Sequence, residues 1–298
     1  MKAIILENKR IGNSSLLKTQ RDKYYKMRFS CDGLSGASPG QFVMIKVNNS
    51  NDPFLRRPMS IYRIPYHPPF KKGGRGEFEI LYQVVGKGTN IMSELKKGDE
   101  IDVLGPLGRG FWIPEKIERA IIVAGGIGVA PMVALAEKIR GKGQGARGKI
   151  SVFIGGKTKN DILCKEDFKK IRAKVYIATE DGSMGKKGTC VDLLSAFSFQ
   201  PSAYIFACGP QGMLKAVADI ARDKNMACQV SLDKRMACGT GACLGCVVKV
   251  SGQWSVVSGQ KNKKDDASTL NTQHSTHYKC VCTDGPVFDA EEINWESI

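Results

Sequence analysis

The chain contains 298 residues, of which 42% are hydrophobic and 25% charged, and its formal net charge is +16. This length allows two or three compact units, each with its own hydrophobic core. The sequence has neither the ~18 consecutive apolar residues of a membrane span nor a signal peptide, so we expect a cytoplasmic protein without a membrane partner. The excess lysines are dispersed over polar loops without interleaved aromatic residues, so nucleic-acid binding is not predicted.

Residues 1–113 contain six short segments with strand-like composition, each bounded by turn residues. They are AIILEN (3–8), YYKMRFS (24–30), QFVMIKV (41–47), MSIYRI (59–64), GEFEILYQVV (76–85) and EIDVLGP (100–106). Short strands at such spacing favour an antiparallel barrel. The sequence therefore predicts an N-terminal antiparallel β-barrel domain over residues 1–113.

Two elements of this predicted barrel carry groups suited to an anionic dinucleotide. In Arg57-Pro58-Met59-Ser60, the arginine can neutralise a pyrophosphate through its forked donors, and the serine hydroxyl can bond phosphate or a ring edge. Gly86-Lys87-Gly88-Thr89 offers backbone N–H groups and a hydroxyl at a predicted helix start. Either element alone is compatible with a solvated arginine or an ordinary turn. Their order, ahead of a nucleotide-binding unit, favours a cofactor site.

From residue 114 the pattern changes to apolar strands that alternate with helices. The strands are AIIVA (120–124), ISVFIGG (150–156), VYIAT (175–179) and YIFAC (204–208), and the clearest helices are 132–140 and 212–224. Alternation of this kind is typical of a parallel sheet covered by helices on both faces. We predict a doubly wound α/β nucleotide-binding domain over residues 114–224.

The first strand of this domain runs into a glycine-rich turn, which opens a helix. In that context a turn can hold a diphosphate at the helix N-terminus, although such turns are often only structural. A second turn, which begins at Cys208, ends the last strand. Cys208 is also compatible with a small buried residue of the core, and we assign it a positioning role. The predicted nucleotide contacts are Gly125, Gly126, Gly128, Pro131, Cys208, Gly209 and Pro210.

The third predicted unit, residues 225–298, is defined by its cysteines. Ten cysteines in a chain without a secretory signal are not expected to form disulfides. Cys238, Cys243 and Cys246 have the C-x4-C-x2-C spacing of plant-type [2Fe–2S] ligation, which needs a fourth ligand, Cys280 or Cys282. A zinc site is the alternative, but zinc favours paired C-x2-C elements. Residues 258–277 are almost free of apolar side chains and are predicted to form a flexible insertion.

Two C-terminal stretches, RMACGTGACLGCVVKV (235–250) and YKCVCTDGPVFDAEEI (278–293), resemble the electron-transfer subunits of class 1B dihydroorotate dehydrogenases, which belong to the ferredoxin-NADP reductase superfamily. In that family the cysteine before the x-DGPVF segment is the fourth cluster ligand, which corresponds to Cys282. The segment 57–60 resembles the superfamily's RxxS/T flavin motif, and 126–131 and 208–210 resemble its GxGxxP and C-G-P elements.

The resemblance covers nearly the whole chain and implies three cofactors, namely FAD, a [2Fe–2S] cluster and NAD. The residues themselves do not decide between NAD and NADP, because Lys157 and Lys159 could pair with a 2′-phosphate or remain solvated. The resemblance implies NAD. The implied FAD contacts are Arg57, Pro58, Met59, Ser60, Leu81, Tyr82, Gln83, Gly88 and Thr89, and the implied cluster ligands are Cys238, Cys243, Cys246 and Cys282.

The function implied by the resemblance is electron transfer in de novo pyrimidine biosynthesis. Electrons from the FMN of a separate dihydroorotate-oxidising subunit would cross the [2Fe–2S] cluster and FAD to NAD+, in a heterotetramer of two of each subunit. No acid–base catalytic residue is predicted. The alternatives are a ferredoxin:NAD(P) oxidoreductase subunit of the sulfide dehydrogenase or bifurcating transhydrogenase type, which tends to carry aspartate at the position of Cys238, and a zinc-binding module without flavin.

Overall fold

The computed structural model describes residues 1–12, 24–31, 36–48, 50–64, 76–115, 117–141, 149–199, 202–250 and 277–298. The N-terminal strands are β1 (Lys2–Ile11), β2 (Tyr24–Cys31), β3 (Phe42–Lys46), β4 (Arg57–Arg63), β5 (Gly76–Gln83) and β6 (Glu100–Leu107), with helix α1 (Lys87–Glu94) between the last two. They form a closed antiparallel barrel in the order β1-β2-β5-β4-β3-β6. The predicted barrel is confirmed, and each predicted segment contributes one strand.

The barrel closes because its strands alternate buried and partly exposed side chains. In β2, for example, Met27, Phe29 and Cys31 are buried, whereas Arg28 and Ser30 between them are half-exposed. This period of two places one face of each strand in the core. The inward side chains include Ile5, Val43, Ile61, Phe78, Ile80 and Val103.

The second sheet has seven strands in the order β10-β9-β8-β7-β11-β12-β15. These are β7 (Arg119–Gly125), β8 (Lys149–Gly156), β9 (Lys174–Thr179), β10 (Lys186–Lys187), β11 (Ala203–Cys208), β12 (Cys228–Ser231) and β15 (Val287–Asp289). All neighbours are parallel except β12 and β15. The helices are α2 (Val129–Gly141), α3 (Lys165–Lys170), α4 (Cys190–Ser195) and α5 (Gln211–Asp223).

The order of this sheet reverses at β7, since β8 lies on one side of it and β11 on the other. In doubly wound sheets, ligands bind at the carboxyl ends of the strands that flank such a switch point. The predicted α/β fold is confirmed. The sheet also extends beyond residue 224, the predicted limit of this domain, because β12 adds a parallel strand and β15 returns to pair with it.

A small hairpin, β13 (Val247–Val250) with β14 (His277–Cys280), follows the cysteine loop. Its inner residues Val248 and Val250 share a core with Phe42 and Met44 of the barrel and with the sheet. The three units therefore pack as one body. The predicted insertion 258–277 lies outside the described residues except for its last residue. No helix in the described ranges is both long and apolar enough to span a bilayer.

Candidate functional site

The cysteine loop between β12 and β13 surrounds its sulfur atoms with backbone N–H groups. The amides of Thr240 and Cys243 both donate to Cys238 Sγ at 3.4 Å, and the amide of Gly245 donates to Cys243 Sγ at 3.4 Å. This loop curvature needs left-handed backbone at Gly239 (φ 76°) and Gly241 (φ 82°), which glycine adopts without steric cost. Donors of this kind stabilise thiolates and tune the potential of an iron–sulfur centre.

The turn that follows β14 brings Cys282 to the same loop. The amide of Gly241 donates to Cys282 Sγ at 3.2 Å, and the amide of Cys282 donates to Cys246 Sγ at 3.4 Å. All four predicted ligand sulfurs therefore accept a backbone N–H. Within the described residues none is recorded to Cys280 Sγ, whereas the Cys280 amide donates to Asp284 at 2.8 Å.

The electrostatics of these thiols differ with their exposure. The N–H groups of Thr240 and Cys243 lower the pKa of Cys238 to about 6, which favours its thiolate. Burial raises the pKa of Cys282 to about 12, so a cation must offset the cost of deprotonating it. Among the described residues no three His, Cys, Asp or Glu side chains converge on a single metal ion. A [2Fe–2S] cluster instead distributes four thiolates over two irons, and this donor set fits it.

The candidate flavin strand begins with two adjacent arginines that have different partners. Arg56 pairs with the Asp102 carboxylate and donates to the Asp102 carbonyl at 3.0 Å. Arg57 donates to the carbonyls of Leu55 at 2.7 Å and Arg56 at 3.3 Å, and has no carboxylate partner in the described part of the chain. An uncompensated guanidinium on a half-buried strand is suited to a phosphate anion. The exposed apolar side chains of Leu55 and Val85 lie beside this region.

The helix start predicted to face phosphate contacts Arg57 directly. A Cβ at Gly88 would overlap the Arg57 guanidinium, so any side chain at this position would displace the end of the Arg57 side chain. Thr89 is buried, and its hydroxyl accepts from the Val85 amide at 2.9 Å and donates to the Gly86 carbonyl at 3.0 Å. The hydroxyl predicted to bind phosphate therefore caps its own loop, and the backbone amides of the first turn remain the available donors.

The remaining predicted flavin residues occupy both faces of their strands. On β5, Leu81 is buried toward the α/β domain, Gln83 is half-buried, and Tyr82 lies in the barrel core with its hydroxyl donating to Asn8 at 3.1 Å. On β4, Pro58, Met59 and Ser60 are all half-buried, which departs from barrel alternation and leaves this strand partly open. The Tyr82 side chain thus belongs to the barrel core, against which Met59 of β4 also packs.

The Arg56–Asp102 pair makes a prediction for acid stability. The Arg56 guanidinium, followed by the N-terminal ammonium, lowers the pKa of Asp102 against a smaller effect of burial. The folded-state pKa lies below the unfolded one, so this stabilisation exists above the unfolded pKa, near pH ~4, and is lost as the pH falls through the folded pKa. Tm should therefore fall less between neutral and acid pH in Asp102→Asn than in the unmodified protein. The difference should be small because Asp102 is partly exposed.

Thermal unfolding measured from neutral pH to about pH 3 tests this expectation. Asp223→Asn is the matched control, because Asp223 is exposed at the end of α5 and has no ion pair in the described ranges. An Asp102→Asn curve parallel to that of the unmodified protein would contradict the assignment.

The candidate nucleotide site lies at the carboxyl ends of β7 and β11, the two strands of the switch point. A Cβ at Gly128 would lie 2.5 Å from the Cys208 carbonyl oxygen and 2.7 Å from the Gly209 nitrogen. A Cβ at Gly125 would lie 2.7 Å from Pro210 Cδ. The two predicted turns are therefore in backbone contact, and a short 3-10 turn over Gly126–Gly128 leads into α2, which contains Pro131.

Two sulfur-containing side chains, which the sequence did not indicate, line the base of this edge. Met213 Sδ would be 2.8 Å from a Cβ at Gly125, and it accepts the Cys190 thiol at 3.6 Å. Burial raises the pKa of Cys190 to about 11 and that of Cys208 to about 12, so both remain neutral thiols. The sequence signal that could have identified Met213 is its position three residues after Pro210, in the first turn of α5.

The cysteine loop and the candidate flavin strand are separated by one strand. A Cβ at Gly239 would lie 2.7 Å from Met44 Cγ of β3, and Met44 is paired directly with Pro58 of β4. Directly paired residues of antiparallel strands have their side chains on the same face, with Cβ atoms about 5 Å apart. On its other side β4 packs against α2, the helix that follows the nucleotide turn.

Family models match both C-terminal units. A model described as an oxidoreductase NAD-binding domain matches residues 122–219, and one described as the iron-sulfur cluster binding domain of dihydroorotate dehydrogenase B matches residues 233–263 and 268–294. A protein of Desulforamulus reducens named dihydroorotate dehydrogenase B (NAD(+)), electron transfer subunit, is 36% identical over 91% of this chain and 93% of its own length. A protein of the same name from Caldanaerobacter subterraneus is 35% identical over 98% of both.

Solved structures share the architecture. An NADH-dependent reduced ferredoxin-NADP oxidoreductase is 28% identical and superposes with a TM-score of 0.72 over 98% of this chain and 90% of that chain. A ferredoxin NADP+ reductase of Neisseria gonorrhoeae, solved with FAD and NADP, superposes with a TM-score of 0.58 over 75% of this chain and 91% of that chain. At 16% identity the second likeness shows the fold alone.

Proposed function

The chain belongs to the family of electron transfer subunits of NAD(+)-dependent dihydroorotate dehydrogenase B, and from this premise we propose how its residues serve that function. It is an oxidoreductase subunit that uses FAD, a [2Fe–2S] cluster and NAD. When bound, the cluster supplies one-electron steps, and FAD converts them to the two-electron reduction of NAD+. In this proposal the chain's own residues hold the three groups in the order cluster, flavin, nucleotide.

The cluster ligands in this proposal are Cys238, Cys243, Cys246 and Cys282. The support is that each of their sulfurs accepts a backbone N–H, whereas none is recorded to Cys280 Sγ within the described residues. The flavin diphosphate would be held by Arg57 and the first-turn amides of α1, with Ser60 nearer the ring. The NAD diphosphate would lie against the turn 125–131, with Cys208, Gly209 and Pro210 beside it.

One observation carries the proposed electron route. β4 contains the candidate flavin residues. It is one strand away from the cysteine loop, through Met44 of β3, and it also packs against the nucleotide helix α2. A flavin on this strand would be adjacent to both a one-electron and a two-electron partner. The order cluster, flavin, nucleotide is thus built into the packing around a single strand.

As an electron transfer subunit, the chain works with a separate catalytic subunit. We propose that the partner contains FMN, oxidises dihydroorotate and forms a complex of two of each subunit. The exposed ligand candidate Cys243 and the exposed side chain of Leu244 lie at the outer edge of the cysteine loop, where a partner could approach. The proposed location is the cytoplasm, where cysteine thiols are kept reduced.

Coexpression with a dihydroorotate-oxidising subunit tests this function. The purified complex should contain flavin and iron and should reduce NAD+ when dihydroorotate is added under anaerobic conditions. The same complex given reduced ferredoxin instead of dihydroorotate serves as the control for the ferredoxin:NAD(P) alternative. A complex replete in flavin and cluster that reduces NAD+ from ferredoxin but not from dihydroorotate would overturn the proposal.

A further inference from the structure

We propose that Arg63 is a positioning residue that aligns the flavin strand with the nucleotide helix. This inference rests on the proposed function and concerns residues outside the cofactor contacts described above. Its guanidinium donates through Nε to Glu137 Oε1 at 2.7 Å and through Nη2 to Asp167 Oδ1 at 3.1 Å. Glu137 belongs to α2 and Asp167 to α3, so one barrel arginine binds two helices of the other domain.

A neighbouring tyrosine strengthens the same connection. Tyr62 is 3% exposed, and its hydroxyl donates to Asp167 Oδ2 at 2.9 Å, so both oxygens of this carboxylate are bonded to β4. The Arg63 guanidinium also lies 5.2 Å from the centre of the Tyr62 ring. We call Tyr62, Arg63, Glu137 and Asp167 the interdomain bridge.

An irregularity in β4 makes the bridge possible. Consecutive residues of a strand normally face opposite sides of the sheet. The register between β4 and β5 shifts between Ile61 and Arg63, since Ile61 pairs with Ile80 and Arg63 with Glu79. Such a bulge bends the strand and redirects a side chain, and here two adjacent side chains reach the same carboxylate.

The bridge lies close to both cofactor sites along rigid elements. Arg63 is three strand residues beyond Ser60, or about 10 Å, on the strand that carries the candidate flavin residues. Glu137 is six helix residues beyond Pro131, or about 9 Å, on the helix that follows the nucleotide turn. The side chains of Arg63, Asp167 and Glu137 are 23%, 20% and 33% exposed, so water screens these contacts only partly.

Alignment at this junction affects the rate of hydride transfer. The step moves two electrons and one proton together between the flavin and the nicotinamide, and it requires reacting atoms about 3–3.5 Å apart. A displacement of about 1 Å can lower the rate ~100-fold. Barrel and α/β domain already share buried apolar residues, and the bridge adds charged, multiply bonded contacts that set the orientation of β4 relative to α2.

The test compares Arg63→Gln and Asp167→Asn, one on each domain, and their double variant, in the FAD-loaded full-length chain. Anaerobic stopped-flow should show flavin reduction by NADH slowed about 10- to 100-fold in each, and no further in the double variant. Flavin reduction by dithionite should be unchanged, and Arg63→Lys should recover part of the rate. Arg28→Gln is the matched control, because Arg28 pairs with Glu77 at 3.1 Å within the barrel.

Hydrogen–deuterium exchange of β4 and α2 provides a readout without nucleotide, and we expect faster exchange of both elements in the bridge variants. Unchanged rates of NADH reduction and unchanged exchange in both single variants would overturn the inference. An equal loss of rate in Arg28→Gln would also overturn it, because the effect would then be general damage to the barrel. If the unmodified chain is not reduced by NADH, the proposed function fails, whereas the exchange result still decides whether the bridge joins the domains.

Discussion

Replacement of Cys282 by serine should remove the [2Fe–2S] cluster while the flavin remains. A hydroxyl is a poor substitute for the thiolate that iron requires, and Cys282 is buried, so water has little access to replace it. The change also deprives the Gly241 amide of its sulfur acceptor. The loss of cluster affinity should exceed the ~10- to 100-fold loss of metal affinity that follows removal of a hydrogen-bonding neighbour of a ligand.

Absorption spectra, the electron paramagnetic resonance of the reduced protein and iron content measure this loss. Flavin content and NADH-driven flavin reduction should persist in Cys282→Ser, because Arg57 and the switch point do not contact this residue. Cys280→Ser is the matched control and should retain the cluster signal. A cluster that survives Cys282→Ser but is lost in Cys280→Ser would reassign the fourth ligand to Cys280.

Substitution of Gly128 by alanine should abolish NAD-dependent reduction of the flavin. The added methyl group would lie 2.5 and 2.6 Å from the carbonyl oxygen and carbon of Cys208, which are backbone atoms and cannot rotate away. The turn must therefore separate from β11, which opens the junction of the two nucleotide elements. Overpacking of this kind costs about 1–3 kcal/mol, so Tm should also fall while the chain still folds.

Titration of NAD+ should show an affinity at least about tenfold weaker for Gly128→Ala, the equivalent of ~1.4 kcal/mol. The iron content and flavin content should stay normal, because the atoms nearest to the added methyl group belong to Cys208 and Gly209 and not to the cysteine loop or β4. Gly212→Ala is the control, since a Cβ there meets no atom within 4 Å and lies in α5 beside the same site. Unchanged affinity in Gly128→Ala would remove the turn from the nucleotide site.

The cysteine loop shows which cluster ligands can be predicted from local sequence and which cannot. Cys238, Cys243 and Cys246 lie within nine residues, so a single loop conformation controls their mutual distances, and spacing alone identifies them as a set. Cys280 and Cys282 are both distant in sequence and two residues apart. Their roles depend on which sulfur meets the Gly241 amide after the chain has folded, and without a family resemblance the sequence could not choose between them.

The adjacent arginines show a similar limit. Arg56 and Arg57 have the same chemistry, and in the sequence only the resemblance of residues 57–60 to the RxxS/T motif selects Arg57. The barrel places Asp102 of β6 near Arg56, so that, of these two arginines, Arg57 is the one without a carboxylate partner among the described residues. The residue type of Thr89 suggests a phosphate contact, but in the structure its hydroxyl accepts the part-buried amide of Val85 and so caps the loop.

Local signals in the amino-acid sequence are enough to predict the six barrel strands, the βα alternation with its glycine turn, and the three clustered cysteines. The relations between distant segments depend on the folded chain, because strand pairing and side-chain contact join residues that no short spacing connects. The fold extends the parallel sheet through β12 and β15, brings the cysteine loop within one strand of β4, and ties Arg63 to two helices of the other domain.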